Sequence, residues 1–128
     1  MELGLTGKVA MVSGGSRGIG RSIALGLAAE GCAVSICARG EPDLAAIAGE
    51  LRQIGGACHS VQADVTREDG ARRFYEDTCA TLGDVDILVN NVGKSSGGGI
   101  VETTLDDWHA TLQLILFSTV RLSQLVTP

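Results

Sequence analysis

A glycine-rich turn between an apolar run and an amphipathic segment constrains the fold of this chain more than any other feature of its sequence. Lys8 to Ser13 is short and apolar, as in a buried strand, and the turn at residues 14–20 (GGSRGIG) follows it at once. After the turn, Ile19, Ile23 and Leu27 recur every four residues, which predicts a helix with these side chains on its apolar face and Gly31 at its end. The segment is therefore predicted to be a strand, a glycine turn and a helix.

The rest of the chain repeats this alternation of short apolar runs and helical segments. Further strands are predicted at Ala33 to Ala38, Ala57 to Gln62 and Ile87 to Val89. Further helices are predicted from Pro42 to about Ile54, from Thr66 to about Leu82, and from Thr104 to Pro128. Thr66 and Thr104 are each followed by an acid three residues later, which is typical of a capped helix start. A glycine-rich loop, Gly93 to Gly99, precedes the last helix.

Strands that alternate with helices predict an α/β fold, here a Rossmann-type doubly wound parallel sheet with helices on both faces. The sequence contains about four strands, whereas a complete fold of this type has about six. We therefore predict that residues 1–128 form a single dinucleotide-binding domain that corresponds to the N-terminal half of such a sheet. The fourth strand is expected to lie at the middle of the complete sheet, with one edge uncovered in this chain.

Composition and charge narrow the class of protein. Hydrophobic residues make up 45% of the chain, aromatic residues only 3%, and there are 18 glycines, so the core is expected to consist of aliphatic side chains. The net charge of −5 argues against a nucleic-acid partner, because phosphate contacts need a surplus of Lys and Arg. The chain is expected to be globular, and its net charge is compatible with binding a small anion.

Cysteine spacing and hydropathy predict a cytoplasmic location without a metal site. The four cysteines form no C-x-x-C pair and no cluster with His, so reduced thiols are expected rather than metal ligands or disulfides. No signal peptide is expected at the N-terminus. The most apolar stretch, Leu112 to Val126, is shorter than the roughly 20 residues that span a bilayer, so no membrane segment is expected.

The glycine turn has the chemistry of a diphosphate site. Glycines 14, 18 and 20 would let the backbone approach a diphosphate, whose charge would face the positive end of the following helix. The alternative is a turn whose glycines only allow close helix packing. A P-loop is disfavoured, because Arg21 replaces the expected Lys and the fourth strand ends in Asn90 instead of Asp.

Three motifs together resemble the short-chain dehydrogenase/reductase family. They are the glycine motif that begins at Gly14, the pair Asp64-Val65 after the third strand, and Asn90-Asn91-Val92-Gly93 after the fourth. The usual forms in the family are T-G-x-x-x-G-I-G, D-V and N-N-A-G, so Ser13 and Val92 are mild departures. The resemblance covers the whole chain, which corresponds to the first half of a family member.

The resemblance implies a nicotinamide cofactor. It implies that Gly14, Ile19 and Gly20 surround the diphosphate, that Asp64 and Val65 contact the adenine, and that Asn90 and Gly93 line the cleft between the first and fourth strands. Asp64 as a loop carboxylate near a helix start and Asn90 as a tie between strands remain the alternatives. The predicted cofactor-binding residues are Gly14, Ser16, Arg17, Gly18, Ile19, Gly20, Arg39, Asp64, Val65, Asn90 and Gly93.

Charge at the end of the second strand predicts the choice of cofactor. NAD-binding proteins of this fold place an acid there, whereas NADP-binding proteins supply Arg for the extra phosphate. This chain has Arg39 at that point, and Arg17 in the glycine turn can approach it. NADP(H) is therefore predicted over NAD(H), the alternative being two solvated arginines.

The residues that would perform the chemistry are not found in this sequence. Family members use Ser, Tyr and Lys, the last two as Y-x-x-x-K, often with an Asn. Tyr75 is followed four residues later by Cys79, and the position of the Asn, seven residues after Trp108, holds Ile115. His109 is predicted to be a helix-surface histidine.

The resemblance implies an oxidoreductase that interconverts a carbonyl and an alcohol on an unidentified small molecule, to which this chain contributes cofactor binding without catalytic residues. The chain alone is expected to be inactive. The alternative is a non-catalytic NADP-binding or interaction module. The last helix is apolar on several faces, which predicts burial against its own sheet and against a further surface. In the family that the chain resembles, this helix commonly packs against a second subunit, so the resemblance implies a homo-oligomer formed through it.

Overall fold

In the computed structural model, which describes residues 2–94 and 98–128, four parallel strands form one sheet. They are β1 (Val9–Ser13), β2 (Ala33–Ala38), β3 (Cys58–Gln62) and β4 (Ile87–Val89). Their spatial order is β3-β2-β1-β4, so β1 pairs with both β2 and β4. The predicted Rossmann-type α/β fold is confirmed, and β4 lies at an edge of the described sheet.

Helices follow each of the first three strands, and a longer helical segment ends the chain. The helices are α1 (Gly18–Ala29), α2 (Glu41–Ile54), α3 (Glu68–Leu82), α4 (Leu105–Leu112) and α5 (Ser118–Val126). A π-helical turn, Gln113–Phe117, connects α4 to α5. Part of the predicted loop from Gly93 to Gly99, residues 95–97, lies outside the described residues.

The two faces of the sheet are covered by different helices. Because side chains alternate along a strand, Ala10 and Val12 of β1 pack in one buried cluster with Ala24 of α1 and Ile47 of α2. Met11, between them in sequence, packs in a second cluster that includes residues of α3 and α5. The layers are those of a doubly wound sheet, and both clusters are mainly aliphatic, as the composition predicts.

The predicted apolar face of α1 is wrong at its first residue. Ile19 is 75% exposed, whereas Gly20, Ala24 and Ala28 are buried. The small side chains allow α1 to approach the sheet closely, and Ile23 and Leu27 pack only partly against the core beside them. Ile19 lies in the first turn and faces open space above the strand ends.

The predicted cap of α3 is also wrong. The helix begins at Glu68 with Arg67 at the N-cap position, and no side chain caps it. The Thr66 hydroxyl instead donates to Asp64 Oδ1 at 2.6 Å, and the Thr66 N–H donates to the same oxygen at 3.0 Å. Thr66 is therefore held in a turn before the helix and is not available to cap it.

The predicted single helix from Thr104 to Pro128 is correct at its start and wrong at its end. Thr104 and Asp107 form a reciprocal capping box. The last helix ends at Val126, and the π-helical turn interrupts its course. Only Ser118 and Leu122 are buried in α5, so most of the apolar side chains around the π-helical turn remain on the surface.

Candidate functional site

A cleft of about 1010 Å³ opens at the carboxyl ends of the strands. The strand order reverses at β1, since β2 lies on one side of it and β4 on the other, and ligands bind at such a point in open α/β sheets. The cleft is lined by the loops after all four strands and by α4. Its lining residues include Gly14, Ser16, Arg17, Ile19, Arg39, Asp43, Asp64, Val65, Asn91, Gly93, Lys94 and Leu114.

The glycine segment gives the cleft a wall of backbone. Gly14 and Gly18 have φ values of +64° and +54°, which other residues rarely adopt. The helix α1 begins at Gly18 with no side-chain cap and no acid in its first turn. Its first N–H groups are thus left without an acceptor from a capping side chain, and the positive end of the helix dipole is not offset by an acid of that turn.

Close packing of α1 depends on Gly20 and Asn91. A Cβ at Gly20 would overlap the Asn91 side-chain amide and the Gly14 carbonyl oxygen. Asn91 Nδ2 donates to that carbonyl at 3.0 Å, and the Asn91 N–H donates to Ser13 Oγ at 3.0 Å. The packing interpretation therefore holds at Gly20, whereas a Cβ at Gly18 would meet nothing within 4 Å.

Asp64 lines the cleft and also accepts hydrogen bonds within its own turn. Its Oδ1 accepts from both the N–H and the hydroxyl of Thr66. Partial burial acts to raise the pKa of the Asp64 carboxyl, but the bonds from Thr66 and the charges of Arg39 and Arg67 outweigh it and hold that pKa below its usual value. Asp64 is therefore a fixed, ionised carboxylate at the edge of the cleft at neutral pH.

Arg17, Arg39 and Asp43 line one end of the cleft, and Asp64 lies near enough to Arg39 for its pKa to be lowered by that charge. Arg39 follows β2 directly and is exposed, and its backbone oxygen accepts from Gln62 Nε2 at 2.9 Å. Arg17 Nε lies 3.6 Å from Asp43 Oδ2 in the first turn of α2. The two cations thus have two carboxylates near them, Asp43 beside Arg17 and Asp64 near Arg39.

The structure brings most of the sequence-predicted residues together. Gly18, Gly20 and Asn90 are the three that do not line the cleft. Asn90 is exposed, and its Nδ2 donates to Ser123 Oγ of α5 at 3.4 Å. The neighbouring Asn91 lines the cleft and makes the contacts to the glycine turn.

The charged or polar lining residues that the sequence analysis missed include Asp43, Thr66, Asn91 and Lys94. Asn91 was part of a recognised motif, and Lys94 follows that motif directly. For Asp43 the available signal was an acid in the first turn of a helix that begins shortly after Arg39, the residue that follows β2. Nothing in the sequence says which of the acids in that turn, Glu41 or Asp43, faces the cleft.

No tyrosine or histidine of the described residues lines the cleft. Tyr75 lies on α3, with its hydroxyl next to Cys79, and is not among the lining residues. His109 is exposed on α4, as predicted. Ile115, within the π-helical turn, is 47% exposed and does not line the cleft, whereas the preceding Leu114 does. No group of residues that could hold a metal ion occurs in the described part of the chain.

The four cysteines are free thiols, as expected. Cys32 and Cys37 are buried, and burial raises the pKa of the Cys37 thiol to about 12. Cys37 lies near the end of β2 and lines the cleft close to Arg39.

Among the described residues, no helix is both long and apolar enough to cross a bilayer.

Comparison with known proteins finds relatives along the whole chain. A family model described as short chain dehydrogenase matches residues 8–128. A rhamnolipids biosynthesis 3-oxoacyl-[acyl-carrier-protein] reductase of Pseudomonas aeruginosa is 39% identical over 97% of this chain and 48% of the relative. A 7alpha-hydroxysteroid dehydrogenase of Escherichia coli is 34% identical over 99% of this chain and 49% of the relative.

Solved structures of short-chain dehydrogenases and reductases are also similar to this chain. L-Sorbose reductase from Gluconobacter frateurii, complexed with NADPH and L-sorbose, matches with a TM-score of 0.95 and 35% identity over 98% of this chain and 48% of that one. A short chain dehydrogenase from Burkholderia cenocepacia, in complex with NADP, has a TM-score of 0.91 and 36% identity over 95% of this chain and 50% of that one. The chain spans about half the length of the curated relatives it matches.

Proposed function

The chain belongs to the short-chain dehydrogenase/reductase family, and on that basis we propose that it supplies cofactor binding to an NAD(P)-dependent oxidoreductase. The reaction is the interconversion of a carbonyl and an alcohol on a small substrate. One observation supports this most directly: the uncapped start of α1 and two glycines with positive φ line or adjoin a cleft at the strand ends. A diphosphate fits such a wall, because its oxygens accept from free N–H groups.

Each part of the cleft has a proposed role in holding the cofactor. The backbone of residues 14–20 binds the diphosphate, with Ser16 and Ile19 beside it. Asp64 and Val65 contact the adenine, while Gly93 and the loop that begins at Asn90 line the nicotinamide end. When bound, the cofactor supplies or accepts a hydride, and these residues orient it at the strand ends.

Positive charge supports a preference for NADP(H). Arg17 and Arg39 line one end of the cleft and can offer forked hydrogen bonds to the 2′-phosphate. The two solved relatives described above are complexes with NADPH or NADP. NAD(H) is the less favoured cofactor in this proposal.

The proton-transfer residues of the family have no counterpart in this chain. Its one tyrosine, Tyr75, is not followed by the Lys of Y-x-x-x-K and lies away from the cleft. We therefore expect the 128-residue chain to bind cofactor without turnover. Ile115 at the position of the supportive Asn favours a second candidate, a non-catalytic NADP-binding or interaction module.

The surface of the last helical segment supports self-association. Trp108, Leu112, Ile115, Leu116 and Phe117 are all more than one-third exposed. A second copy of the chain would remove this apolar surface from water. The free cysteines support a reducing, cytoplasmic location.

Titration of the chain with NADPH and NADH by calorimetry tests the proposed cofactor. Arg39→Ala should weaken NADPH binding by about tenfold, because it removes charged hydrogen bonds to the 2′-phosphate, and should leave NADH binding almost unchanged. Arg52→Ala, an exposed arginine at the far end of α2, is the matched control. Equal weakening of both cofactors by Arg39→Ala would contradict the NADP preference.

A further inference from the structure

Asp43 occupies a position that the proposed function leaves unexplained. Its carboxylate lines the same end of the cleft as Arg17 and Arg39, and it forms an ion pair with Arg17 at 3.6 Å. The two side chains are 53% and 82% exposed, so both can move when a ligand arrives. An acid therefore lies where the proposed 2′-phosphate has to approach.

The placement of Asp43 differs from that of its neighbouring acid. Glu41 and Asp43 both lie in the first turn of α2, where the positive end of the helix favours negative charge. The N-cap residue, Gly40, has no side chain that could cap the helix. Asp43 lines the cleft and Glu41 does not, so the cleft contains one of these two acids specifically.

The two cofactors present opposite chemistry to this carboxylate. The 2′-phosphate of NADP(H) must draw Arg17 away from Asp43 and then remain near an uncompensated negative charge. The 2′-hydroxyl of NAD(H) is a hydrogen-bond donor, which a carboxylate accepts. Asp43 therefore opposes the first cofactor and is compatible with the second.

We infer that Asp43 is a specificity-determining residue that limits the preference for NADP(H) over NAD(H) by pairing with Arg17. This inference rests on the proposed function, since it concerns the same cofactor site. The chain would then retain measurable affinity for both cofactors despite its two arginines.

The test compares Asp43→Asn with Glu41→Gln. Each variant loses one acid from the first turn of α2, so their effects on the helix and on net charge are matched. Asp43→Asn should raise the ratio of the NADH Kd to the NADPH Kd by about threefold to tenfold, as expected for one solvent-screened charge near a phosphate. Glu41→Gln should leave that ratio within about twofold of the starting value.

Introducing both variants into Arg17→Ala tests the pairing itself. The ratio should then rise less with Asp43→Asn than it does in the unchanged chain, because only the direct repulsion between the carboxylate and the 2′-phosphate remains and Asp43 has no guanidinium to occupy. A rise in this background as large as that in the unchanged chain would overturn the inference that Asp43 acts by pairing with Arg17. So would an unchanged or lowered ratio when Asp43→Asn is made alone.

Failure of the inference and failure of the proposed function give different results. If the unchanged chain binds NADPH but Asp43→Asn leaves the ratio unaltered, the cofactor site stands and the role of Asp43 is wrong. If the unchanged chain binds neither NADPH nor NADH, the proposed cofactor site is wrong, and the inference is rejected with it.

Discussion

At the scale of single residues, Gly20 is the position of the glycine turn where an added side chain has least space. The Asn91 amide and the Gly14 carbonyl occupy the space that a side chain would need. Gly20→Ala should therefore lower the free energy of unfolding by about 1–3 kcal/mol, since neighbouring backbone has to shift. Urea unfolding followed by circular dichroism measures the change.

Gly26 provides the matched control within the same helix. A Cβ there would meet nothing within 4 Å, so Gly26→Ala should stabilise the chain by up to about 1 kcal/mol through helix propensity. If both substitutions stabilised the chain, the close approach of α1 to Asn91 would be wrong.

Residue-level predictions from the sequence were reliable for conformation and less so for contacts. The glycines that end α1 and α2, Gly31 and Gly55, have positive φ values of +88° and +96° as their positions suggest. The choice between Asn90 and Asn91 depended on which side chain points back to β1, and adjacent residues after a strand give no sequence signal for that. Ile19 was misplaced because periodicity marks the large residues of α1, whereas the line of contact with the sheet is formed by the small ones.

At the scale of elements, Asp86 fixes the start of β4 against the start of β1. Its Oδ2 accepts from the Val9 N–H at 2.9 Å, and its Oδ1 lies 3.4 Å from Lys8 Nζ. The Val9 bond, with the Lys8 charge, holds the pKa of the Asp86 carboxyl below its usual value despite some desolvation. The ionised form therefore stabilises the pairing of the edge strand.

The pH dependence of stability follows from this shift. A carboxyl whose pKa is lower in the folded chain contributes stability above its unfolded pKa of about 3.9, and this contribution is lost as the pH falls through the folded value. Asp86→Asn should reduce the loss of unfolding free energy between about pH 5 and pH 3, measured by urea unfolding. Asp84→Asn, two residues earlier, is the control. An identical pH profile for Asp86→Asn and the unchanged chain would contradict the role of Asp86.

Element boundaries were predictable where one local signal dominates. Pro42 lies in the first turn of α2 and Thr104 caps α4, as the sequence indicates. At Thr66 two local patterns compete, a turn closed by Asp64 and a helix cap with Asp69, and the turn is formed. The π-helical turn at 113–117 has no sequence period of its own, since it is a single wider turn in a continuous apolar helix.

At the scale of the whole molecule, the exposed apolar surface around the π-helical turn leads to a prediction about assembly. The chain should form dimers or larger oligomers in light scattering, and a Leu116→Lys, Phe117→Lys double variant should shift it towards monomer, because lysines oppose burial of that surface. Ile54→Lys changes a comparably exposed residue at the end of α2 and should leave the assembly unaltered. A clean monomer for the unchanged chain would contradict self-association.

The architecture as a whole could be predicted from the order of the elements. Alternation of strands and helices indicates parallel strands. The glycine turn identifies β1 as the first strand of the fold, and the pairing of β4 with β1 follows from that fold. The cleft followed from the same topology. Its ion pair between Arg17 and Asp43 did not, because it depends on how the loop after β1 and the start of α2 approach each other in space.

The backbone of residues 14–20 is proposed to bind the diphosphate of a dinucleotide, and a negative charge added to that segment should weaken the binding. Ser16 lines the cleft, whereas Ser22, one turn into α1, is exposed and does not. The measurement is the NADPH affinity of Ser16→Glu and Ser22→Glu by calorimetry. Ser16→Glu should lose at least about tenfold in NADPH affinity through repulsion of the phosphates, whereas Ser22→Glu should change it by less than about threefold. Equal affinities for the two variants would contradict diphosphate binding by this segment.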